Sequence, residues 1–282
     1  MRMKDDVVVS DDAVLLAPGE GEAIGERIRI KCDRDELVIT ETVGATSTNP
    51  HVHDHHADIF WMIEGDFTVL LGDEEFALEP GDFALVPPGM VHCFRSEGGR
   101  WLNLHAPGGG FGEYLRSDAD FDNREPEEGD ERRPSEGVLR RRGEGEHLAL
   151  GPAGDAWIKA GEADGTGSLA LIEFDIAPGF AGPVPHRHER MTDSFWVLDG
   201  TLTLLIGDET HEVGAGSYGY VPPGNVHTFS NPGDEPVRAL NVMAPGGLER
   251  YLGEVASALR PGEAPDPAEM ARIASRYDFV PV

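Results

Sequence analysis

The sequence predicts an all-β protein of two tandem small barrels, with short helices at the C-terminal end. The first observation is an internal repeat: His51, His53, Asp58 and His92 each have an identical residue 135 positions later. The second is that residues 65–89 align without a gap onto residues 200–224, and both stretches end in Val-Pro-Pro-Gly. Glycine and proline at fixed places, with short apolar runs between them, are typical of strands joined by turns. The pattern indicates duplication of one β-barrel.

The strands of the first copy follow from apolar runs bounded by turn residues. They are predicted over residues 27–31, 37–39, 59–63, 67–71, 83–86 and 101–105. The first of these alternates polar and apolar side chains, as a half-buried strand does. Gly72-Asp73 predicts a hairpin, and Pro87-Pro88-Gly89 predicts a rigid turn ahead of the strand that carries His92. In the second copy the offset rises to 138 at Asn103 and Asn241, so one loop there is three residues longer.

Composition sets the expected domain boundaries. Residues 7–9 and 14–16 predict short strands that pair either with the other half of the chain or with a second subunit. Residues 117–136 are acidic and have few apolar side chains, so an exposed linker is expected. The expected division is an N-terminal barrel, an acidic linker, a C-terminal barrel and a helical tail, over residues 1–116, 117–146, 147–260 and 261–282.

Two helices are predicted near the C-terminal end. Leu248, Tyr251, Leu252, Val255 and Leu259 recur at helical spacing. The run Asp266-Pro267-Ala268-Glu269 has the cap, first-turn proline and acidic residue of a helix start. We expect both helices to cover the barrel.

Charge and composition narrow the range of partners. The net charge is −29, with 52 acidic residues against 23 basic ones, and such a field repels nucleic acid and anionic lipid. No apolar run reaches the roughly 18 residues of a membrane span. An apolar signal core is not seen at the start, and the two cysteines do not form a C-x-x-C pair, which favours a cytoplasmic location. A small-molecule substrate is therefore the expected partner, and barrel edges favour a homodimer.

The repeated histidines and aspartates predict one metal site in each copy. Residues i and i+2 of a strand point to the same face, so His51 and His53 enter one barrel interior. Three imidazoles and a carboxylate suit a divalent transition metal, namely Fe, Mn, Ni, Cu or Co, with Zn as a further candidate. The predicted ligands are His51, His53, Asp58 and His92 in one copy, and His186, His188, Asp193 and His227 in the other.

These residues carry a resemblance to the cupin superfamily. Gly44, His51, His53, Asp58 and Gly65 are spaced like the first cupin motif, and Gly81, Pro87, Gly89 and His92 like the second. The resemblance covers about residues 25–115 and 150–250, and it implies a bicupin with two double-stranded β-helix (jelly-roll) barrels. It also implies that the three histidines of each copy bind metal. Where the family usually has glutamate, both copies have the shorter aspartate.

That difference leaves two roles open for Asp58 and Asp193. Each either binds the metal directly, or acts through water or as a general base. The strand parity of these aspartates places apolar side chains on the same inner face, and we expect a substrate pocket formed by Phe60, Met62, Phe94, Phe195 and Phe229. The first copy also has Asp54, His55, His56 and His105 without equivalents. They are either exposed polar residues or groups that contact substrate or carry protons.

Three functions are compatible with this site. The first is a metal-dependent dioxygenase, resembling quercetin 2,3-dioxygenases, that acts on a flavonol-like aromatic or an enolisable diketone. The second is a metal-dependent decarboxylase, isomerase or lyase for a small acid or sugar, although an oxalate-type pocket would need polar walls and arginine. The third is a non-catalytic protein that binds metal or a small molecule. Fold resemblance alone does not choose among them.

Overall fold

The computed structural model describes residues 7–10 (backbone only), 12–164, 167–260 and 265–282, and the chain divides into two compact units. The first unit comprises residues 21–144 and 162–169. The second unit comprises residues 1–20, 145–161 and 170–282. Each unit contains one copy of the repeat.

The elements up to the middle of the chain are β1 (Val7–Ser10), β2 (Ala13–Leu16), β3 (Glu22–Ile24), β4 (Ile28–Asp33), β5 (Val38–Ser47), β6 (Ala57–Glu64), β7 (Phe67–Leu71), β8 (Glu74–Leu78), β9 (Phe83–Val86), β10 (His92–Ala106), α1 (Phe111–Ser117) and β11 (Val138–Arg140). The remaining elements are β12 (Glu146–Ala149), β13 (Gly154–Ala160), β14 (Ala170–Ile176), β15 (His186–Arg187), β16 (Thr192–Asp199), β17 (Thr201–Ile206), β18 (Glu209–Gly214), β19 (Tyr218–Val221), β20 (His227–Ser230), β21 (Val237–Ala244), α2 (Leu248–Ala258), α3 (Pro267–Ala274) and β22 (Val280–Pro281). Short 3-10 turns lie at Pro134–Glu136 and Gly151–Ala153.

The first unit is organised around the 15-residue strand β10. Its end near Ala106 pairs with β5 and β6, while its beginning at His92 pairs with β7, so one strand joins both walls of the barrel. The path through the sheet is β11-β9-β6-β10-β5-β4-β3, with β7 and β8 attached through β10. Inward-facing apolar side chains of β6, β7 and β9 form the buried core.

The second unit contains two sheets. One has eight strands in the order β1-β2-β19-β16-β21-β14-β13-β12, and the other has five in the order β18-β17-β20-β15-β22. The core lies between them and includes residues of α2 and α3. Asp266 caps α3, because its carboxylate accepts a hydrogen bond of 2.9 Å from the Ala268 N–H. The predicted all-β fold with short C-terminal helices is confirmed.

Each unit also buries a lysine in an ion pair. Lys31 Nζ lies 2.7 Å from Glu41, and Lys159 Nζ lies 3.0 Å from Glu173. An arginine contacts each glutamate from the other side: Arg100 contacts Glu41, and the corresponding Arg238 contacts Glu173. A buried charge is costly unless it is paired, and in each unit this repeated arrangement links side chains of three neighbouring strands.

Two segments differ from the expected boundaries. Strand β2 pairs with β19, so it belongs with the second unit and not with the N-terminal barrel. Pairing with the other half of the chain was one of the two expected possibilities. Residues 117–146 have mostly exposed or half-buried side chains, but their backbone pairs with the first unit through β11 and through a bridge from Arg124 to Val52. This segment therefore differs from the exposed linker expected of it. Within the described ranges, none of the helices has the length and apolar content needed to cross a membrane.

Candidate metal centres

The four predicted ligands of the first unit converge at one end of its barrel. One ligand atom from each of His51, His53, Asp58 and His92 lies within 4.8 Å of the others. His51 and His92 face each other because their backbones exchange hydrogen bonds of 2.9 and 3.0 Å. Asp58 enters from β6, next to His105 of β10 and Val86 of β9. Strand register thus brings together residues that are up to 41 positions apart in the sequence.

The second unit repeats this geometry. His186, His188, Asp193 and His227 are all buried, and their ligand atoms also lie within 4.8 Å of one another. His186 pairs with His227 across β15 and β20. His227 Nε2 lies 3.0 Å from Asp193 Oδ2, and His188 Nε2 lies 3.7 Å from the same oxygen.

All six ligand histidines are held in the tautomer that binds metal. The Nδ1 of each lies at a backbone carbonyl oxygen, which can only accept a hydrogen bond, so the proton is on Nδ1 and the Nε2 lone pair is free. For His51, His92, His186 and His227 these contacts are 2.8–3.0 Å long, and the carbonyl belongs to the residue two positions earlier. His53 and His188 instead donate to the distant carbonyls of Asp122 and Asp278.

An asparagine orients each aspartate. Asn103 Nδ2 donates to Asp58 Oδ1 at 2.5 Å and to the Ile59 carbonyl at 3.1 Å. Asn241 makes the same pair of contacts, to Asp193 Oδ1 and to the Ser194 carbonyl. The sequence comparison paired these asparagines but gave them no role. Their occurrence at matching positions of both copies was the available signal.

Because Oδ1 is held in this way, Oδ2 of each carboxylate faces the imidazoles. Asp58 Oδ2 lies 3.3 Å from His92 Nε2 and 3.9 Å from His53 Nε2. Such spacings suit ligands that share one ion with bonds of about 2.0–2.2 Å. The shorter aspartate therefore reaches the position of a ligand.

Buried nitrogen atoms also point to a cation. Among the described residues, His92 Nε2 and His188 Nε2 are buried without a hydrogen-bond partner. Leaving such an atom unsatisfied costs about 1–3 kcal/mol, and a bound metal removes this cost. Three imidazole nitrogens and a carboxylate fit a divalent transition metal in each unit.

The electrostatic environment keeps the carboxylates ionised. Burial opposes ionisation of Asp58 and Asp193, but the surrounding histidines outweigh it and hold the pKa of both well below the usual range. Burial lowers the pKa of His53 to about 2 and that of His186 to about 3. His188 differs: burial lowers its pKa, but its interactions with Asp193 and Asp278 together outweigh burial and raise it overall.

A second aspartate fastens the loop that carries the ligands in each unit. The Asp122 carboxylate accepts the N–H groups of Asp54 and His55 at 2.9 and 2.7 Å. The Asp278 carboxylate accepts those of residues 189, 190 and 191 at 2.7–3.1 Å. The sequence reading missed both residues, because the two lie 156 positions apart and fall outside the 135-residue repeat. Their shared signal is an adjacent phenylalanine, Phe121 or Phe279.

The metal centre of the second unit opens into an apolar cavity of about 580 Å³. His186, Asp193 and Asn241 contribute to its lining, and most of the other lining residues are apolar. Its walls include Phe174, Phe180, Phe229, Tyr251, Val255 and Met270, the last three from or beside helices that cover the barrel.

The predicted pocket residues fall into two groups. Phe229 lines the cavity, and Phe195 is buried behind it with a ring-centroid distance of 5.4 Å. Phe60, Met62 and Phe94 belong instead to the packed core of the first unit or lie against it. There Phe94 stacks on Phe67, with centroids 5.3 Å apart.

The additional histidines of the first unit also separate. His55 is exposed, whereas His56 and His105 are only 1% and 2% exposed. Phe121 packs against both buried rings, and Phe111 lies 3.7 Å from His105 between centroids. The interpretation as exposed polar residues therefore applies to Asp54 and His55, and not to His56 and His105.

Comparison with known proteins gives a consistent result. The family described as "Cupin domain" matches residues 37–105 and 172–243, one match in each unit. Quercetin 2,3-dioxygenase of Bacillus subtilis is 40% identical over 45 residues, which is 16% of this chain and 13% of that protein. Germin-like protein 5-1 of Oryza sativa subsp. japonica is 35% identical over 86 residues, or 28% of this chain and 38% of that protein. The alignments thus span well under half of these relatives.

Solved structures match a larger share of this chain than these relatives do. Oxalate decarboxylase of Bacillus subtilis matches with a TM-score of 0.58 and 18% identity, over 82% of this chain and 76% of that one. The formate complex of oxalate decarboxylase from Lactobacillus farciminis matches with a TM-score of 0.60 and 16% identity, over 93% and 96% of the two chains. At this level of identity the likeness concerns the fold.

Removing the carboxylate of Asp278 is expected to weaken metal binding in the second unit. The Asp278→Ala variant frees three backbone N–H groups beside His188, so the affinity of that centre for Zn²⁺ should fall about 10–100-fold. Asp278→Asn keeps one acceptor oxygen and should lose less. Calorimetric titration of the chain with the first centre removed measures this. Unchanged affinity in Asp278→Ala would contradict the orienting role.

The two centres should also respond differently to pH. Protons and metal compete for the same imidazole nitrogen. With a raised pKa, His188 takes up a proton at a pH where His51 and His53, whose pKa values are lowered, stay neutral. On acidification from about pH 8 to about pH 5, the second centre should therefore release metal first.

This difference can be measured with Zn²⁺ affinities at a series of pH values. The His186→Ala/His227→Ala chain reports on the first centre, and the His51→Ala/His53→Ala chain reports on the second. Parallel pH profiles, or earlier release from the first centre, would show that the raised pKa of His188 does not govern binding.

Proposed function

This chain belongs to the cupin family and has two metal-binding cupin domains, and from this premise we propose that it is a dioxygenase with its catalytic centre in the second unit. Its proposed substrate is a small, mainly apolar molecule with an ionisable hydroxyl, such as a flavonol-like aromatic or an enolisable diketone. The general properties of the site, a divalent metal and a small-molecule ligand, follow from its geometry. The reaction, the substrate and the choice of the second unit are what we propose.

The observation that carries this proposal is the character of the cavity walls. A space of about 580 Å³ is large enough for a bicyclic or tricyclic molecule, and it has metal ligands in its lining. Among the described residues that line it, neither lysine nor arginine occurs. A small carboxylic acid would therefore meet no cation except the metal, whereas an aromatic substrate would bury its apolar surface.

Metal binding would give the second unit one kind of chemistry: as a Lewis acid, the ion lowers the pKa of a hydroxyl that coordinates it. The chain's residues would do the rest. Asp193, held by Asn241, would serve as a ligand, because its lowered pKa makes it a weak proton acceptor. Phe229 and Phe174 would contact the substrate ring and exclude water. Burial raises the pKa of Tyr251, so its hydroxyl stays protonated and available to donate.

The relatives give limited support for this choice. The segment that is 40% identical to quercetin 2,3-dioxygenase favours an oxygenase, but it covers 45 residues. The oxalate decarboxylases share the fold at 16–18% identity, which does not carry over their activity. Two alternative functions are therefore kept. One is a decarboxylase, isomerase or lyase for a small acid or sugar, and the other is a non-catalytic binding protein.

Oxygen uptake by the metal-loaded full chain tests the proposal. We expect quercetin or a β-diketone to consume O₂ in an equimolar amount with one of Mn, Fe, Co, Ni or Cu. His186→Ala should abolish uptake, and His51→Ala should retain most of it. Carbon dioxide release from a small acid without O₂ uptake would instead support a decarboxylase. Metal retention without turnover of any compound would support the binding protein.

The two matching phenylalanines provide a second prediction. Phe229→Ala removes apolar surface from the cavity wall, so the KM for the aromatic substrate should rise about tenfold or more. The same change at the equivalent Phe94 of the first unit should leave KM unchanged, because that ring packs in the core. Steady-state oxygen kinetics distinguish the two. Equal effects of both variants would contradict the assignment of the pocket to the second unit.

A further inference from the structure

Two buried histidines of the first unit have no part in its four-residue metal centre. His56 and His105 are 1% and 2% exposed. The equivalent positions in the second unit are methionines: Met191 lies 135 positions after His56, and Met243 lies 138 positions after His105. Both methionines are buried as well. The barrel therefore accepts an apolar side chain at these positions, and imidazoles are not required for folding.

His56 has the hydrogen bonding of a metal ligand. Its Nδ1 lies 3.0 Å from Asp122 Oδ2, and because a carboxylate oxygen accepts, Nδ1 carries the proton. Its Nε2 therefore carries a lone pair. This atom is buried and has no hydrogen-bond partner among the described residues. A carboxylate behind one imidazole nitrogen, with the other nitrogen free, is the usual arrangement around a metal-bound histidine.

His105 has the same arrangement, but with the roles of its two ring nitrogens exchanged. The Asn103 amide donates through Nδ2 to Asp58 Oδ1 and to the Ile59 carbonyl, so its Oδ1 is the acceptor. His105 Nε2 lies 3.2 Å from that Oδ1 and donates to it. The remaining nitrogen, Nδ1, is buried and has no partner in the described part of the chain.

A third histidine, His53, lies beside these two. One ligand atom from each of His53, His56 and His105 lies within 4.8 Å of the others. His53 donates through Nδ1 to the Asp122 carbonyl, so its Nε2 is the nitrogen left to bind. The Asp58 carboxylate, 3.7 Å from His105, and the Asp122 carboxylate behind His56 give the cluster a negative surrounding.

We propose that His53, His56 and His105 form a second cation seat in the first unit, one that takes Zn²⁺ or a similar imidazole-preferring ion. His53 Nε2 serves both this seat and the centre with His51, Asp58 and His92. A single lone pair binds one ion, so the two seats are alternatives. The first unit thus holds one ion in either of two adjacent positions, whereas the described residues of the second unit form one such position.

A buried water is a poorer occupant than a cation. Three lone-pair nitrogens are all acceptors, and a water molecule donates only two hydrogen bonds. One nitrogen would remain unsatisfied, at a cost of about 1–3 kcal/mol. A divalent ion that prefers imidazole ligands, such as Zn²⁺, Cu²⁺, Ni²⁺ or Co²⁺, can bind all three nitrogens.

The test isolates the new seat in the full chain. His186→Ala, His188→Ala and His227→Ala remove the second unit's centre, and His51→Ala with His92→Ala removes two of the three imidazoles of the four-residue centre in the first unit. We expect this five-fold variant to bind one Zn²⁺ per chain in a calorimetric titration. Co²⁺ should give the strong visible absorption typical of low coordination number rather than the weak absorption of six-coordinate Co²⁺.

Adding His56→Met and His105→Met should abolish both signals, because only His53 and Asp58 would remain. These substitutions copy the residues of the second unit, and a thermal melt unchanged from the five-fold variant shows that the fold persists. No Zn²⁺ binding by a folded five-fold variant would overturn the proposal, since a water would then be the occupant. Binding that survives the two methionine substitutions would overturn it as well.

Discussion

The metal centres depend on one interaction, the hydrogen bond from Nδ1 of each ligand histidine to a backbone carbonyl. This bond fixes the tautomer and the ring plane, and it makes Nε2 the metal-binding atom. In each unit the first and third histidines find their carbonyl two residues earlier, so local chain geometry is sufficient for them. The second histidine does not: His53 needs a carbonyl 69 residues away, and His188 needs one 90 residues away. A complete centre therefore forms only when a distant segment docks on the barrel.

That docked segment explains how two copies of one barrel came to differ. In the first unit it follows α1 directly, and Phe111 and Phe121 lie over His56 and His105. In the second unit it comes after α2 and α3, near the last described residue, and Phe279 stacks on His186 at 3.9 Å between centroids. The longer route places two helices over the barrel, and these helices supply much of the apolar wall of the cavity. The same aspartate-to-loop contact thus supports a packed ring cluster in one unit and a ligand-sized space in the other.

The ligand sets could be predicted from the sequence because strand parity and a constant offset are local, countable properties. Their completion could not be predicted in the same way. Whether aspartate reaches the metal position depends on Asn103 and Asn241, which act across the sheet. Asp122 and Asp278 lie outside the repeat. Parity placed Phe60 and Met62 on the inner face, but it carries no information on depth, and both lie in the packed core. Nor does a pattern of residues indicate that Lys31 and Lys159 are buried with a glutamate.

The charges in the second unit favour one class of ligand over another. A divalent ion and ionised Asp193 leave one net positive charge in a largely apolar cavity. A substrate that gives up one proton on binding brings the total to neutral, the state that a low-dielectric space favours. A small dianion would leave one negative charge there, and the described lining offers no lysine or arginine to pair with it. Charge neutrality therefore supports the proposed substrate, a mostly apolar molecule that binds as a monoanion, by an argument that does not depend on the fold.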